Sequence, residues 1–138
     1  MKKKFIDTNI IIYANDSRDR RKQSLSLALI KKLMLDGNGV ISTQVLQEYA
    51  HVAIKKLGQD HAVIMRQITL LGNLETVSVT IDIVKRSVEF QKLYQINFWD
   101  AGIIAAAEMA SCDSIMTEDL NTGQMYSGIR AINPFISC

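Results

Sequence analysis

A chain of 138 residues, 48% apolar and 22% charged, has the size and balance of one globular domain with a proper core. No window approaches about 18 consecutive apolar residues, which excludes a membrane-spanning helix. A net charge of +2, from 16 basic and 14 acidic residues, neither demands nor excludes a nucleic-acid partner. Met1-Lys2-Lys3-Lys4 is basic, but only Phe5 and Ile6 precede Asp7. That is too short for the apolar region of a signal peptide, so the expectation is a cytosolic chain. Cys112 and Cys138 form neither a CxxC pair nor a disulfide framework and are expected as one small buried side chain and one tail thiol.

Lys3 to Asp7 reads as a short buried strand, and the unalternating apolar run from Thr8 to about Ala14 predicts a short helix packed on the sheet. Asn15 to Lys22 is polar throughout, a solvated loop that runs into a helix from about Asp19 to Leu35. Leu25, Ala28, Leu29 and Leu33 share one face of that helix, and Gly37 and Gly39 end it. Val40-Ile41 is a minimal second strand, and Ser42 is an N-cap for a helix from about Thr43 to Leu57. Its inward residues are expected to be Val45, Leu46, Tyr49, Ala53 and Ile54, with Gly58 as terminator. A helix from about Gln59 to Leu71 places Ile64, Ile68 and Leu71 at helical spacing and stops at Gly72. Thr76 to Val79 is a third strand; Thr80 then caps a helix to about Tyr94, with Val84, Val88 and Gln91 on one stripe. Asn97 caps an alanine-rich helix from Phe98 to Ser111. Ser114 to Thr117 is a fourth strand, left by Glu118-Asp119-Leu120. Gly123 and Gly128 punctuate a loop, Ile129 to Ile132 is a weak fifth strand, and Pro134 stops it. Without repeat or linker, residues 1–138 are expected to form a single α/β domain with a mostly parallel sheet. Right-handed crossovers then place helices on both faces.

Most of the acids lie in polar settings or on exposed helical faces, where solvation explains them. Four do not. Asp7 leaves the first strand between two apolar runs, Glu48 lies near the apolar face of its helix, Asp100 sits in a first helical turn, and Asp119 follows the fourth strand. In parallel α/β sheets ligands bind beyond the carboxyl ends of the strands, where strand order reverses. If strands one and four are neighbours, Asp7, Asp100 and Asp119 converge on one crevice, and Glu48 reaches it from a flanking helix. Two carboxylates about 5 Å apart repel by roughly 3 kcal/mol at an effective dielectric near 20. Four do not all stay ionised without a cation. An all-oxygen set without His or Cys suits Mg²⁺ or Mn²⁺, and one or two such ions direct the expectation to phosphodiester hydrolysis.

At this point the sequence resembles the PIN-domain ribonucleases, specifically the VapC-type toxins of type II toxin–antitoxin pairs. Phe5-Ile6-Asp7-Thr8-Asn9 is similar to the opening motif, Ile41 to Tyr49 to the helix with the second acid, and Phe98-Trp99-Asp100-Ala101 to the third motif. Thr117-Glu118-Asp119-Leu120 is similar to the fourth motif and Ile132-Asn133-Pro134-Phe135 to the usual ending. Any one motif is weak, but five in order along nearly the whole chain are specific. The resemblance implies a PIN-like three-layer α/β/α fold with a central five-stranded parallel sheet of order 3-2-1-4-5. It also implies a Mg²⁺- or Mn²⁺-dependent endoribonuclease site with metal-binding or catalytic roles for Asp7, Glu48, Asp100 and Asp119. Asn9 and Thr117 match supporting polar positions, and the choice of Asp119 over Glu118 rests on the motif alone. A homodimer and a cognate antitoxin are implied as well. Gly102 departs from the family, where a larger apolar residue is usual, at a cost of about 1 kcal/mol in helix propensity.

An RNA substrate needs cations near the acids. Arg18, Arg20, Arg21 and Lys22 follow the first strand and are possible RNA contacts, although a solvated loop also accounts for them. Trp99 and Tyr13 could stack bases, but packing is the ordinary explanation. Rival readings are weaker. Glu48-x-x-His51 is half of a di-iron motif with no second copy. A phospho-accepting receiver domain would need an acid pair after strand one, a central phospho-accepting Asp and a late Lys, and nothing late fits. A catalytically inactive PIN-fold binding protein is the remaining alternative, and the presence of all four acids argues against it.

Overall fold

Phe5 and Ile6 point to opposite faces of one strand and both are fully buried, which requires a sheet covered on both sides. The computed structural model describes residues 1–136; Cys138, the expected tail thiol, lies outside the described residues. Strand β1 (Lys4–Ile6) is central. It pairs in parallel with β2 (Gly39–Ser42) on one side and with β4 (Ser114–Met116) on the other, Phe5 opposite Val40 and Ile115. Outside these lie β3 (Glu75–Val77) and β6 (Ile129–Ile132), also parallel to their neighbours. The five parallel strands thus follow the expected order, with β6 in the fifth place.

Beyond the five expected parallel strands the sheet has an antiparallel edge, which makes it mixed. A sixth strand, β5 (Met125–Tyr126), runs antiparallel to β6 at the edge. Its turn is Ser127-Gly128, with φ of 52° and 78°. Two successive positive φ values twist a two-residue turn in the sense that an antiparallel hairpin needs. Two residues are too short for alternation to show, so the stretch reads as a loop in the sequence.

Six α-helices among the described residues cover the sheet: α1 (Thr8–Ala14), α2 (Arg20–Asp36), α3 (Thr43–Val52), α4 (His61–Leu71), α5 (Ile81–Tyr94) and α6 (Phe98–Met109). Ser42, Thr80 and Asn97 each cap their helix as expected, their side-chain oxygens accepting an otherwise unpaired N–H. Asp19 and Asp60 do the same for α2 and α4. Helix α3 continues into a π-helical turn, Ala53–Leu57, which ends at Gly58 in a left-handed conformation. Residues Ala101 to Ala107 of α6 are all buried: Ile103 and Ile104 fill the core, and the glycine and alanines between let the helix pack closely among its neighbours.

Two helical faces differ from expectation. On α5, Val84 and Val88 face solvent, while Ile83, Ser87 and Phe90 are buried. The two stripes have the same spacing and lie one residue apart, and the bulk of Phe90 decides between them. On α2 the buried residues are Ser26, Ile30 and Leu33, and Leu25 is exposed. Ile54, in the π-helical turn, is also turned outward. Cys112 is buried, and burial pushes its thiol up to about 12, which makes it inert.

Candidate metal centre

Asp7 is the first residue beyond β1 and the N-cap of α1. Its Oδ1 accepts the Thr8 N–H at 2.7 Å, and its Oδ2 accepts the Thr117 hydroxyl at 2.6 Å. Its own N–H donates to the Met116 carbonyl, which extends the β1–β4 pairing by one residue. The carboxylate is therefore aimed by two strands and a helix start, and it is buried, with 4% of its surface exposed.

Asp100 stands in the first turn of α6, where Asn97 caps its backbone N–H at 3.0 Å and leaves the carboxylate outside the capping interaction. Asp119 lies just past β4. Its N–H donates to Thr117 Oγ1 at 3.0 Å, and both its carboxylate oxygens accept from Asn9 Nδ2, at 3.2 and 3.0 Å. One oxygen from each of Asp7, Asp100 and Asp119 lies within 4.8 Å of the others. Asp7 is buried, Asp100 half-buried and Asp119 exposed, so the trio forms a short shaft open at one end.

Glu48 stands one step out from this trio. Its Oε1 accepts the Thr8 hydroxyl at 2.8 Å and Gln44 Nε2 at 3.3 Å. Gln44, buried on the same face of α3, also donates to the Trp99 carbonyl at 2.9 Å. Sequence reading did not single out Gln44. The available signal was a polar residue one helical turn before an out-of-place acid. Gly102 is explained by the same contact: a Cβ there would come within 2.5 Å of Gln44 Oε1.

The electrostatics are those of a site short of positive charge. Burial, reinforced by the charges of Asp119 and Asp100, pushes Asp7 up to about 7 against the hydrogen bonds from Thr117 and Thr8. Asp100 is raised to about 6, first by burial and then by Asp119 and Glu48. Asp119 is raised by partial burial and by Glu118, while Asn9 pulls it down. A divalent cation with hard oxygen preference fits this donor set and would reverse each of these shifts.

Glu118 turns away from the trio. Its Oε1 accepts the Tyr13 hydroxyl at 2.5 Å and its Oε2 pairs with Lys22 Nζ at 2.8 Å. Lys22 also lies over the rings of Tyr13 and Phe135. Of the other cations named from sequence, Arg18 is held by Asp16, Arg21 donates to the Phe135 carbonyl, and Arg20 is exposed. The packing explanation fits Tyr13, which meets Phe135 edge-on at 5.3 Å. It does not fit Trp99, which is 59% exposed because its position in the first turn of α6 points off the domain. His51 is a surface residue, one turn beyond Glu48.

A search among curated protein sequences returns no match. Among solved structures, the Mycobacterium tuberculosis toxin VapC20, described as cleaving the sarcin–ricin loop, aligns at 20% identity over 81% of this chain and 86% of its own, with a TM-score of 0.65. VapBC2 from Rickettsia felis, bound to a DNA fragment of its promoter, aligns at 17% over 93% and 96%, with a TM-score of 0.66. A toxin–antitoxin complex from Klebsiella pneumoniae aligns at 23% over 94% and 96%, with a TM-score of 0.63. These likenesses establish a shared fold. A family model matches by sequence as well: the PIN domain, over residues 4–126, from the first strand through the edge hairpin's first strand. The match takes in all four out-of-place acids and the strand ends and helices that carry them, and the chain belongs to the PIN-domain family.

Proposed function

We propose that the protein is a divalent-metal-dependent endoribonuclease that acts as the toxin of a toxin–antitoxin pair. The observation that carries this reading is the convergence of Asp7, Asp100 and Asp119 oxygens within 4.8 Å, on a PIN domain, at the carboxyl ends of β1 and β4. In this reading Asp7, Asp100 and Asp119 hold one or two Mg²⁺ or Mn²⁺ ions. Glu48 completes the set from α3 and takes a proton from the attacking water. When bound, the ion supplies activation of water and neutralisation of the charge that builds on phosphate. Thr117 fixes the rotamer of Asp7 and Asn9 that of Asp119, so neither carboxylate has to reorganise during reaction. Arg20, which is exposed, supplies positive charge for the RNA backbone, while Arg18, Arg21 and Lys22 would first have to leave Asp16, the Phe135 carbonyl and Glu118.

The partner reading draws on the fold neighbours, two of which are toxin–antitoxin complexes or carry that name. It comprises an RNA substrate, a cognate antitoxin that blocks the site, a homodimer and a cytosolic setting. Among the described residues no helix is long and apolar enough to cross a membrane. In this reading residues 1–138 act as one PIN domain.

The test is expression of the chain without an antitoxin, with and without Asp7→Asn, followed by sequencing of RNA 5′ ends. Growth arrest with new RNA ends is expected for the wild-type chain and neither for the variant. Undiminished metal-dependent cleavage by Asp7→Asn overturns the assignment. An inactive binding protein on the same fold would give no gain in thermal stability with Mn²⁺.

A further inference from the structure

Two clefts meet at Trp99, and one of them reaches Glu48. One, of about 330 Å³, is lined by Gln44, Gln47, Glu48, His51, Val52 and Trp99. The other, of about 240 Å³, lies across the indole and is walled by Val79, Ile83, Val84 and Phe98, with Gln44 and Gln47 again at its edge. From this we infer that the Trp99 ring and the larger cleft form a nucleobase subsite, which holds an unpaired base of the RNA next to the cleaved phosphate. The inference rests on the ribonuclease reading above and adds what part of the substrate lies beyond the acids.

Four observations support a base as the occupant. Glu48 lines the cleft, and Thr8 links Glu48 to Asp7, so the cleft lies beside the acids. No Lys or Arg lines it, so it is not a phosphate-binding groove. Its lining combines an aromatic and an aliphatic side chain, Trp99 and Val52, with an amide and an imidazole, Gln47 and His51, one helical turn apart on α3. A flat ligand with donors and acceptors along its edge matches that combination. Finally, the indole is exposed yet not loose. Phe98 buttresses it edge-on at 5.3 Å, and Gln44 ties its backbone carbonyl to α3. The same Gln44 amide touches Glu48, so base position and acid position are set by one side chain.

Trp99 is the only tryptophan in the chain, so its emission reports on this site alone. The test titrates the full-length protein in Mn²⁺ with a short single-stranded oligoribonucleotide and with an abasic oligomer of the same length. Emission should be quenched by the first and not by the second. In parallel, Trp99→Ala should lower cleavage at subsaturating RNA by roughly ten- to a hundredfold, mainly through KM, and erase base preference at the cut site. Trp99→Phe should retain most of both. Equal quenching by both oligomers overturns the subsite, as does unchanged emission with RNA, or unchanged cleavage and cut sites in Trp99→Ala. If Trp99→Ala leaves cleavage intact but weakens binding of an inhibitory protein, the cleft belongs to that partner and the subsite is overturned. Absence of cleavage by the wild-type chain would sink the ribonuclease reading separately, and base-dependent quenching would then still stand for the subsite.

Discussion

Asp7 holds its proton to about pH 7 in the metal-free fold, whereas its ordinary value is 3.8. Between those values the native state binds more protons than the unfolded chain, so metal-free stability should fall as pH rises from about 4 to 7 and level off above that. Metal must displace the proton, so Mn²⁺ affinity should rise over the same range. Melting temperatures with and without Mn²⁺ across that range check both slopes; stability that climbs with pH would contradict the first. Asp7→Asn removes the buried charge while keeping an oxygen for the Thr8 N–H, so the metal-free variant should melt no lower than wild type at pH 7.5. It should also lose the Mn²⁺-induced rise. Gly102→Ala makes a different separation. The added methyl favours the helix by up to about 1 kcal/mol but displaces Gln44, whose hydrogen bonds contribute about as much. Melting should move little, while RNA cleavage should drop several-fold because Glu48 and the Trp99 carbonyl lose their shared donor. Asp7 was conspicuous in the sequence as an acid between apolar runs. Gln44 was not, because its role depends on a cross-helix contact 55 residues away.

At the scale of elements, the caps were legible and the faces only partly so. Ser42, Thr80 and Asn97 announce helix starts by local chemistry, since a short polar side chain meets an N–H two or three residues on. Helical spacing names a stripe but not which of two neighbouring stripes turns inward. That is how Val84 and Val88 came to be grouped on α5 although Ile83, Ser87 and Phe90 make the buried contacts. Asn97 joins the two matters, because it caps the turn that presents both Trp99 and Asp100. Asn97→Ala should cost about 1 kcal/mol of stability, seen in denaturant melts. Its effect on cleavage should exceed that of a comparable loss at Thr80, whose helix bears none of the four acids. Equal effects on cleavage from the two caps would detach the first turn of α6 from the site.

Across the whole molecule, the α/β class with a mostly parallel sheet was readable because short apolar runs alternate with capped helices, whereas the strand order rested on the resemblance to PIN domains. The edge hairpin was not readable, because β5 has only two residues and its turn is its main signature. Replacing Ser127 by Asn should suit the positive φ of that turn and raise stability by a few tenths of a kcal/mol, measurable as a small shift in denaturant midpoint.

The position of β1 between β2 and β4 has a bearing on when the protein can act. One partner of β1 is Ser114–Met116, and the hydroxyl that orients Asp7 belongs to Thr117, 110 residues further along the chain. At ordinary rates of synthesis the two are separated by roughly 5–20 s. Throughout that interval the nascent chain has neither its central strand pair nor a closed trio of acids. The trio of acids can therefore close only after β4 and Thr117 have been added.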